Sequence, residues 1–474
     1  MSVTAMSADA AFATASPLVS LRGLRLARGR LELADRISFD VSAGGFVELH
    51  GANGAGKSTL LRVLAGVQPV EQGALQVDGS LAFFAAPFGL RRELTVVQQL
   101  CSAVSLYGRR LTLPECKVLL GSVGLAHKAL ELTSRLSQGQ RSRLGLCILK
   151  ASGARIWLMD EPVNALDAEG VALLGRFLQE HFQAGGCAVI ATHQPLPPLV
   201  PALAGHLQGV LEISGGTARF SAAEVRKPAA VSTVQASGNL GGQTRWTQGP
   251  IGGLSSLAWV LGREWRLFQA APKAAVWPAV FHAMVLCLFP IGLGADVNLL
   301  MRVAAGLFWV SCLLACVLSA APAFESDYNE GVLAQMRAAG LPLAAVASGK
   351  ILVAWLTQGG ALALISGVLA LQYRLPGVEI GFLMLSLALG AGVLVHLAAF
   401  FGAMTLMARQ SSMLVYLLAL PLFVPVLVFG TSVLISVQGG QDPVWPLTVL
   451  AGLSLLSSLA IPWLAAQLLA WAME

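Results

Sequence analysis

Two regimes of hydrophobic patterning divide the chain. In the first half, apolar and polar positions alternate around Val19–Leu26 and Ile37–Val41, the two-residue period of strands in a small antiparallel sheet. Phe46–His50 and Arg155–Asp160 are short apolar runs that read as strands, and Thr59–Ala65 reads as helical. In the second half the runs are long. Ala274–Ala295, Val303–Phe324, Ile351–Tyr373, Ile380–Ala408, Gln410–Gln441 and Pro443–Met473 contain no Asp, Glu, Lys or Arg. Each exceeds the roughly 20 apolar residues that cross a bilayer as helix, which predicts six spans. Pro421, Pro425, Pro446 and Pro462 in the longest runs predict kinks or re-entrant turns.

Charge sharpens this division. Hydrophobic residues make up 55% of the chain and charged residues 12%, well below the roughly 25% charged of a soluble domain. Residues 251–474 hold eight Lys/Arg and eight Asp/Glu, leaving 23 basic and 17 acidic residues for the first half, where the whole net charge of +6 resides. That excess is scattered, with no basic stripe of interleaved aromatics, and reads as a solvated surface beside an anionic membrane rather than a nucleic-acid site. Arg263, Arg266, Lys273, Arg337, Lys350 and Arg409 fall on the side of the first half, against Arg302 and Arg374 on the other. The positive-inside rule makes the shared side cytoplasmic, with both termini there. No basic segment followed by an apolar run precedes Arg22, so no secretory signal is expected. Seven cysteines without CxxC or CxxCH spacing read as reduced and structural. Residues 227–253 are rich in Gly, Ser, Thr, Gln and Pro, the composition of a flexible linker. The expected organisation is therefore a domain over 1–226, a linker over 227–253 and a six-helix membrane domain over 254–474.

Chemistry concentrates in the first domain. Phe46–His50 runs into Gly51, Ala52, Asn53, Gly54, Ala55, Gly56, Lys57 and Ser58, with Thr59 opening the helix. This is GxxxxGK[ST] in its strand, loop, helix context, where glycines let backbone N–H groups wrap a triphosphate. Lys57 supplies a cation to the β/γ-phosphates, and Ser58 a hydroxyl ligand for Mg²⁺. Arg155–Asp160 ends in Asp160 and Glu161. Beside a phosphate loop, Asp160 would hold Mg²⁺ through water and Glu161 would polarise the attacking water.

Leu136–Gln140 (LSQGQ) lies between these motifs, and Ala165–Asp167 (ALD) and Thr192–His193 follow them. In this order the set resembles the nucleotide-binding domain of ABC transporters, an α/β P-loop NTPase, here followed by an all-α six-helix transmembrane domain. The resemblance implies that Ser137, Gly139 and Gln140 bind the γ-phosphate held by the opposite protomer of a homodimer. It further implies that Asp167 communicates across the dimer and that His193 contacts the γ-phosphate. Two features depart from the family. Ala27 and Arg28 stand where an adenine-stacking aromatic is common, and Phe83–Leu90 lacks the Mg²⁺-sensing glutamine.

Trp157–Pro162 (WLMDEP), Asp167–Val171 (DAEGV) and Ala191–Leu196 (ATHQPL) are similar to the ATP-binding component of the cytochrome c maturation (Ccm) system. Arg263–Arg266, Leu288–Leu293, Phe308–Val310, Glu330–Gln335 and Leu420–Leu427 are similar to the permease component of that system. The resemblance implies an ATP-driven translocase in the bacterial inner membrane. It would act with a haem-handling membrane protein and release a haem chaperone outside, or export haem. Export of another cargo, such as a lipid-linked glycan or drug, and an ATP-sensing assembly protein with weak hydrolysis are the other readings. Asp327–Arg337 reads as an amphipathic helix stopped by Gly340-Leu-Pro342 that docks on the nucleotide-binding domain. His282, His396, Cys312 and Cys316 lie within spans and read as structural residues rather than haem ligands.

Overall fold

The computed structural model describes residues 17–28, 31–164, 166–223, 243–246, 253–294, 297–320, 324–407 and 412–473. They fall into two compact units, Met1–Pro250 with Glu330–Gly340, and Ile251–Asn329 with Leu341–Met473.

The first unit is built on one sheet. β1 (Val19–Arg28) and β2 (Leu31–Val41) pair antiparallel with Val19 opposite Val41. β3 (Phe46–His50), buried from Phe46 to Leu49, leads into α1 (Lys57–Leu64). β4 (Gln72–Val77) pairs antiparallel with β1. After β5 (Leu81–Phe84) come α2 (Val96–Ser105), α3 (Leu113–Ser122) and α4 (Gln138–Ser152). β6 (Ile156–Asp160), α5 (Ala168–Gln183), β7 (Cys187–Ala191) and the single turn α6 (Leu196–Leu199) follow. β8 (Leu207–Ser214), β9 (Gly216–Ala222) and β10 (Gln243–Trp246) complete the strands. Their order in the sheet is β10-β4-β1-β2-β9-β8-β3-β7-β6-β5. The antiparallel strands expected from alternation are thus one wing of a ten-stranded sheet whose other wing, β8-β3-β7-β6-β5, is parallel. Continuous apolar strands suit that parallel wing because helices cover its faces. The edge strand β10 pairs parallel with β4, inside the stretch whose composition reads as linker. Its Thr-Arg-Trp run includes two good strand formers.

In the second unit, α7 (Gly253–Ala270) precedes α8 (Lys273–Leu293) and α9 (Val297–Ala320). Then come α10 (Glu325–Asn329), α11 (Val332–Ala338, in the first unit) and α12 (Leu343–Ala354). The π-helical turn Trp355–Gly359 joins α12 to α13 (Gly360–Ala370), and α14 (Gly377–Met407), α15 (Ser412–Gln438) and α16 (Val444–Met473) follow. Among the described residues six helical segments are long and apolar enough to cross a membrane: Val276–Leu293, Val297–Val317, Leu343–Ala370, Gly377–Met407, Ala419–Gln438 and Val444–Met473.

Three expectations need correction. The second and third spans begin at Val297 and Leu343 rather than Val303 and Ile351, because Arg302 and Lys350 lie inside helices instead of ending them. Pro421, Pro425 and Pro462 lie inside the described helices α15 and α16, which overturns the re-entrant alternative at these positions and leaves the kinks. The helix expected over Asp327–Arg337 is split, since Gly331 takes a left-handed φ of 74° between α10 and α11.

Candidate active site

The phosphate loop is shaped by backbone geometry that side chains resist. Gly54 and Gly56 have φ of 82° and 112°, and a Cβ on Gly56 would come within 3.0 Å of Leu26 Cδ2. A Cβ on Gly51 would meet Ile213 O at 2.4 Å. Ala52, Asn53 and Gly54 are exposed, whereas Lys57 and Thr59 are buried at the start of α1. Lys57 Nζ donates to Gly51 O at 2.6 Å and to Ala52 O at 3.2 Å, so the ammonium lies across the loop's own carbonyls. On the preceding strand, the buried Glu48 of β3 accepts from Leu196 N at 2.8 Å, and its other oxygen lies 2.8 Å from His50 Nε2. That carboxylate ties the loop's strand to the chain that follows His193.

Asp160 ends β6 opposite Ala191 of β7. Burial raises its carboxyl above the ordinary range, opposed by a hydrogen bond with Ser58 and reinforced by the neighbouring Glu161 charge. A hydroxyl and a half-buried carboxylate in contact form a hard oxygen pair, which fits Mg²⁺.

Glu161 has a φ of 48°, rare for a residue with a side chain, and its N–H donates to Ala191 O at 2.9 Å. Its Oε1 lies 2.7 Å from His193 Nε2, and its Oε2 contacts Asn164 Nδ2. The carboxylate is thereby aimed by two partners beside the loop, the arrangement that a positioned base requires.

Ser137 caps α4: its Oγ accepts from Gln140 N at 3.3 Å, and Gln140 Oε1 accepts from Ser137 N at 3.1 Å. This capping box leaves an exposed helix N-terminus, with Gly139 in its first turn, able to face an anion. Asp167 caps α5 through Gly170 N at 2.9 Å, and Arg143 of α4 donates to Asp167 at 2.8 Å and to Glu169 at 2.8 Å. The Arg143 hydrogen bond, with that from Gly170 N, lowers the Asp167 carboxyl. The structure therefore brings Lys57, Ser58, Asp160, Glu161 and His193 together, while Arg143 ties α4, whose N-terminus carries Ser137, Gly139 and Gln140, to Asp167.

A family model described as "ABC transporter" matches residues 34–164, and one described as "CcmB protein" matches residues 256–471. The cytochrome c biogenesis ATP-binding export protein CcmA of Paracoccus denitrificans is 39% identical over 177 residues, 37% of this chain and 82% of that protein. The protein of the same name from Xanthomonas campestris pv. campestris is 39% identical over 194 residues, 38% of this chain and 88% of that protein. Heme exporter protein B of Pseudomonas aeruginosa is 41% identical over 181 residues, 38% of this chain and 81% of that protein. The chain belongs to the CcmA and CcmB families, joined in one polypeptide. It is an ABC ATPase followed by a multi-pass membrane domain.

The CcmA-like unit also contains the stretch from Glu330 to Gly340. Gly89 N donates to Glu330 O at 2.9 Å and Gln335 Nε2 to Phe88 O at 2.5 Å. Gln99 Nε2 donates to Gly89 O at 3.0 Å, and its Oε1 accepts from Arg91 N at 3.1 Å. The loop after β5, which lacks the family's glutamine, is thus gripped by glutamines from elsewhere in the chain. Arg337 Nε donates to Gly66 O at 3.1 Å, at the C-terminal end of α1, where a cation suits the helix dipole. Sequence reasoning missed Arg143, Glu48 and Gln99. Only Glu48 carried a signal, as a lone acid in the apolar strand FVELH.

In the CcmB-like unit both ring nitrogens of His282 have partners, Ser366 Oγ at 2.8 Å and Ser311 Oγ at 2.9 Å. His396 Nδ1 donates to Gly392 O at 2.6 Å, and Cys312 and Cys316 are buried.

Proposed function

We propose that this chain is motor and permease of a haem-export step in cytochrome c biogenesis, working in the bacterial inner membrane with both termini cytoplasmic. It acts as a homodimer with two ATP sites at the interface, alongside a haem-handling membrane protein and a haem chaperone on the outer side. The observation that carries this reading is the Glu161–His193 pair beside a phosphate loop, in a chain whose other half is CcmB-like.

Backbone amides from Gly51 to Thr59 cradle the phosphates, and Lys57 leaves the Gly51 and Ala52 carbonyls to neutralise the β/γ oxygens. Ser58 would hold Mg²⁺, with the neighbouring Asp160 as its carboxylate partner. When bound, the ion offsets charge developing on the transferred phosphoryl group. Glu161 orients the attacking water and takes up its proton, while His193 fixes the carboxylate and contacts the γ-phosphate. Ser137, Gly139 and Gln140 of the opposite protomer close the site, and Asp167 reports that closure to its own α4 through Arg143. The name of the second half's relative, heme exporter protein B, favours haem over a glycan or drug as cargo, and the CcmA names favour cytochrome c biogenesis as the setting. The aimed Glu161 favours full hydrolysis over nucleotide sensing alone.

Glu161→Gln tests the assignment. The variant should retain ATP binding, lose hydrolysis by about 10²–10⁴-fold and leave c-type cytochromes immature. Unchanged hydrolysis would remove Glu161 from the base role, whereas mature cytochromes alongside abolished hydrolysis would remove the pathway.

A further inference from the structure

Four charged side chains meet inside the second unit. Asp327 of α10 is fully buried, and it accepts from Arg263 Nη2 of α7 at 2.8 Å and from Lys350 Nζ of α12 at 2.6 Å. Glu264, next to Arg263 on α7, offers both cations a second carboxylate, with Lys350 Nζ at 3.3 Å and a close contact to Arg263 Nη1. The side chains of Arg263 and Lys350 are only 3% and 9% exposed. Burial by itself would lower the Arg263 pKa, but Asp327 and Glu264 outweigh it and raise the value, so the guanidinium stays charged.

Two points make this more than a stabilising cluster. Buried ion pairs are often matched or bettered in stability by apolar residues of the same volume, so holding three helices together does not by itself require charges. The location is also particular. Asp327 lies just before Glu330 in the chain and Lys350 shortly after Gly340, so the quartet fastens both flanks of the stretch that grips the loop after β5 and the end of α1. Two cations shared between two carboxylates have a second arrangement available. Both cations already touch both carboxylates, so their weight can move between Asp327 and Glu264 without stranding any of the four charges, which supplies the alternatives that a switching element needs.

We propose that this quartet is the joint through which movement of residues 330–340 reaches the membrane helices, with Arg263 and Lys350 shifting their weight between Asp327 and Glu264 as the joint changes state. Asp327 and Glu264 are positioning residues, remote from the nucleotide. The inference rests on the reading of the chain as a nucleotide-driven motor.

The test uses the full chain, scored for Mg·ATP hydrolysis in lipid nanodiscs and for the yield of c-type cytochromes in cells at matched membrane levels. Asp327→Asn should keep hydrolysis within about threefold of wild type while cytochrome yield drops about tenfold. Glu264→Gln keeps both Asp327 bonds and an acceptor oxygen but removes the second negative charge, so the cations can no longer shift their weight to it. The same separation of yield from hydrolysis is expected, and Glu264→Asp should restore yield. If Asp327→Asn fails to accumulate, the Glu264 pair decides. Wild-type yield in Glu264→Gln, or yield and hydrolysis falling in proportion, would overturn the joint. A wild-type chain that hydrolyses no ATP, or whose deletion leaves cytochromes mature, would instead sink the functional reading.

Discussion

His181 lies against Trp157 with ring centroids 3.9 Å apart and 10° between the planes, and its Nε2 is 3.2 Å from Cys187 O. Burial lowers its pKa from 6.5 to about 4, against smaller raising effects of the Cys187 and Arg155 backbones. Between those values the unfolded chain binds a proton that the folded chain excludes, so stability is lost as pH falls through that window. His181→Phe keeps a ring on Trp157 and removes the titration. Its melting temperature should therefore fall less steeply than that of wild type on acidification from 6.5 towards 4, and parallel slopes would refute this. At this scale the candidate nucleotide residues stand out in the sequence, because phosphate chemistry demands particular side chains in a fixed order. Nothing in a one-dimensional string marks the left-handed backbone of Glu161, nor the reach of Arg143 from α4 to Asp167.

Close helix approach is written in glycines. Trp309 of α9 is fully buried, and a Cβ on Gly390 of α14 or on Gly430 of α15 would lie 2.1 Å from its ring. Overpacking of this kind costs about 1–3 kcal/mol. Gly430→Ala should accordingly lower the thermal stability of the detergent-solubilised protein, while Gly452→Ala, whose Cβ meets nothing within 4 Å, should not. Equal melting of the two variants would remove Trp309 as the cause. Span boundaries were less legible than their number, because charge was read as punctuation. Lys350 defeats that rule by pairing with Asp327 inside its helix, and Gly331 divides a stretch whose apolar spacing looks continuous.

For the whole molecule, the relatives of each half are matched over most of their length, 82% for one CcmA and 81% for one heme exporter protein B. Each of those relatives is about the length of one half, which predicts that covalent linkage is dispensable. Cutting the chain after Pro250 keeps β10 with its sheet, and co-expression of the two pieces should still mature c-type cytochromes. Failure with both pieces present in the membrane would show that the tether itself matters. Division into two halves was legible because lipid and water select different compositions. The assignment of Glu330–Gly340 to the first unit rests on contacts distant in sequence, such as Arg337 to Gly66. That contact also limits how α1 can behave. Its eight residues, at about 1.5 Å each, make a rod of about 12 Å, with Lys57 at one tip and Gly66 just beyond the other. A hydrogen bond of 3.1 Å tolerates only a few tenths of an ångström before it weakens. Any larger slide of the rod on its axis must either drag Arg337 along or let go of it, so Lys57 cannot travel far along that axis without Arg337 registering the move.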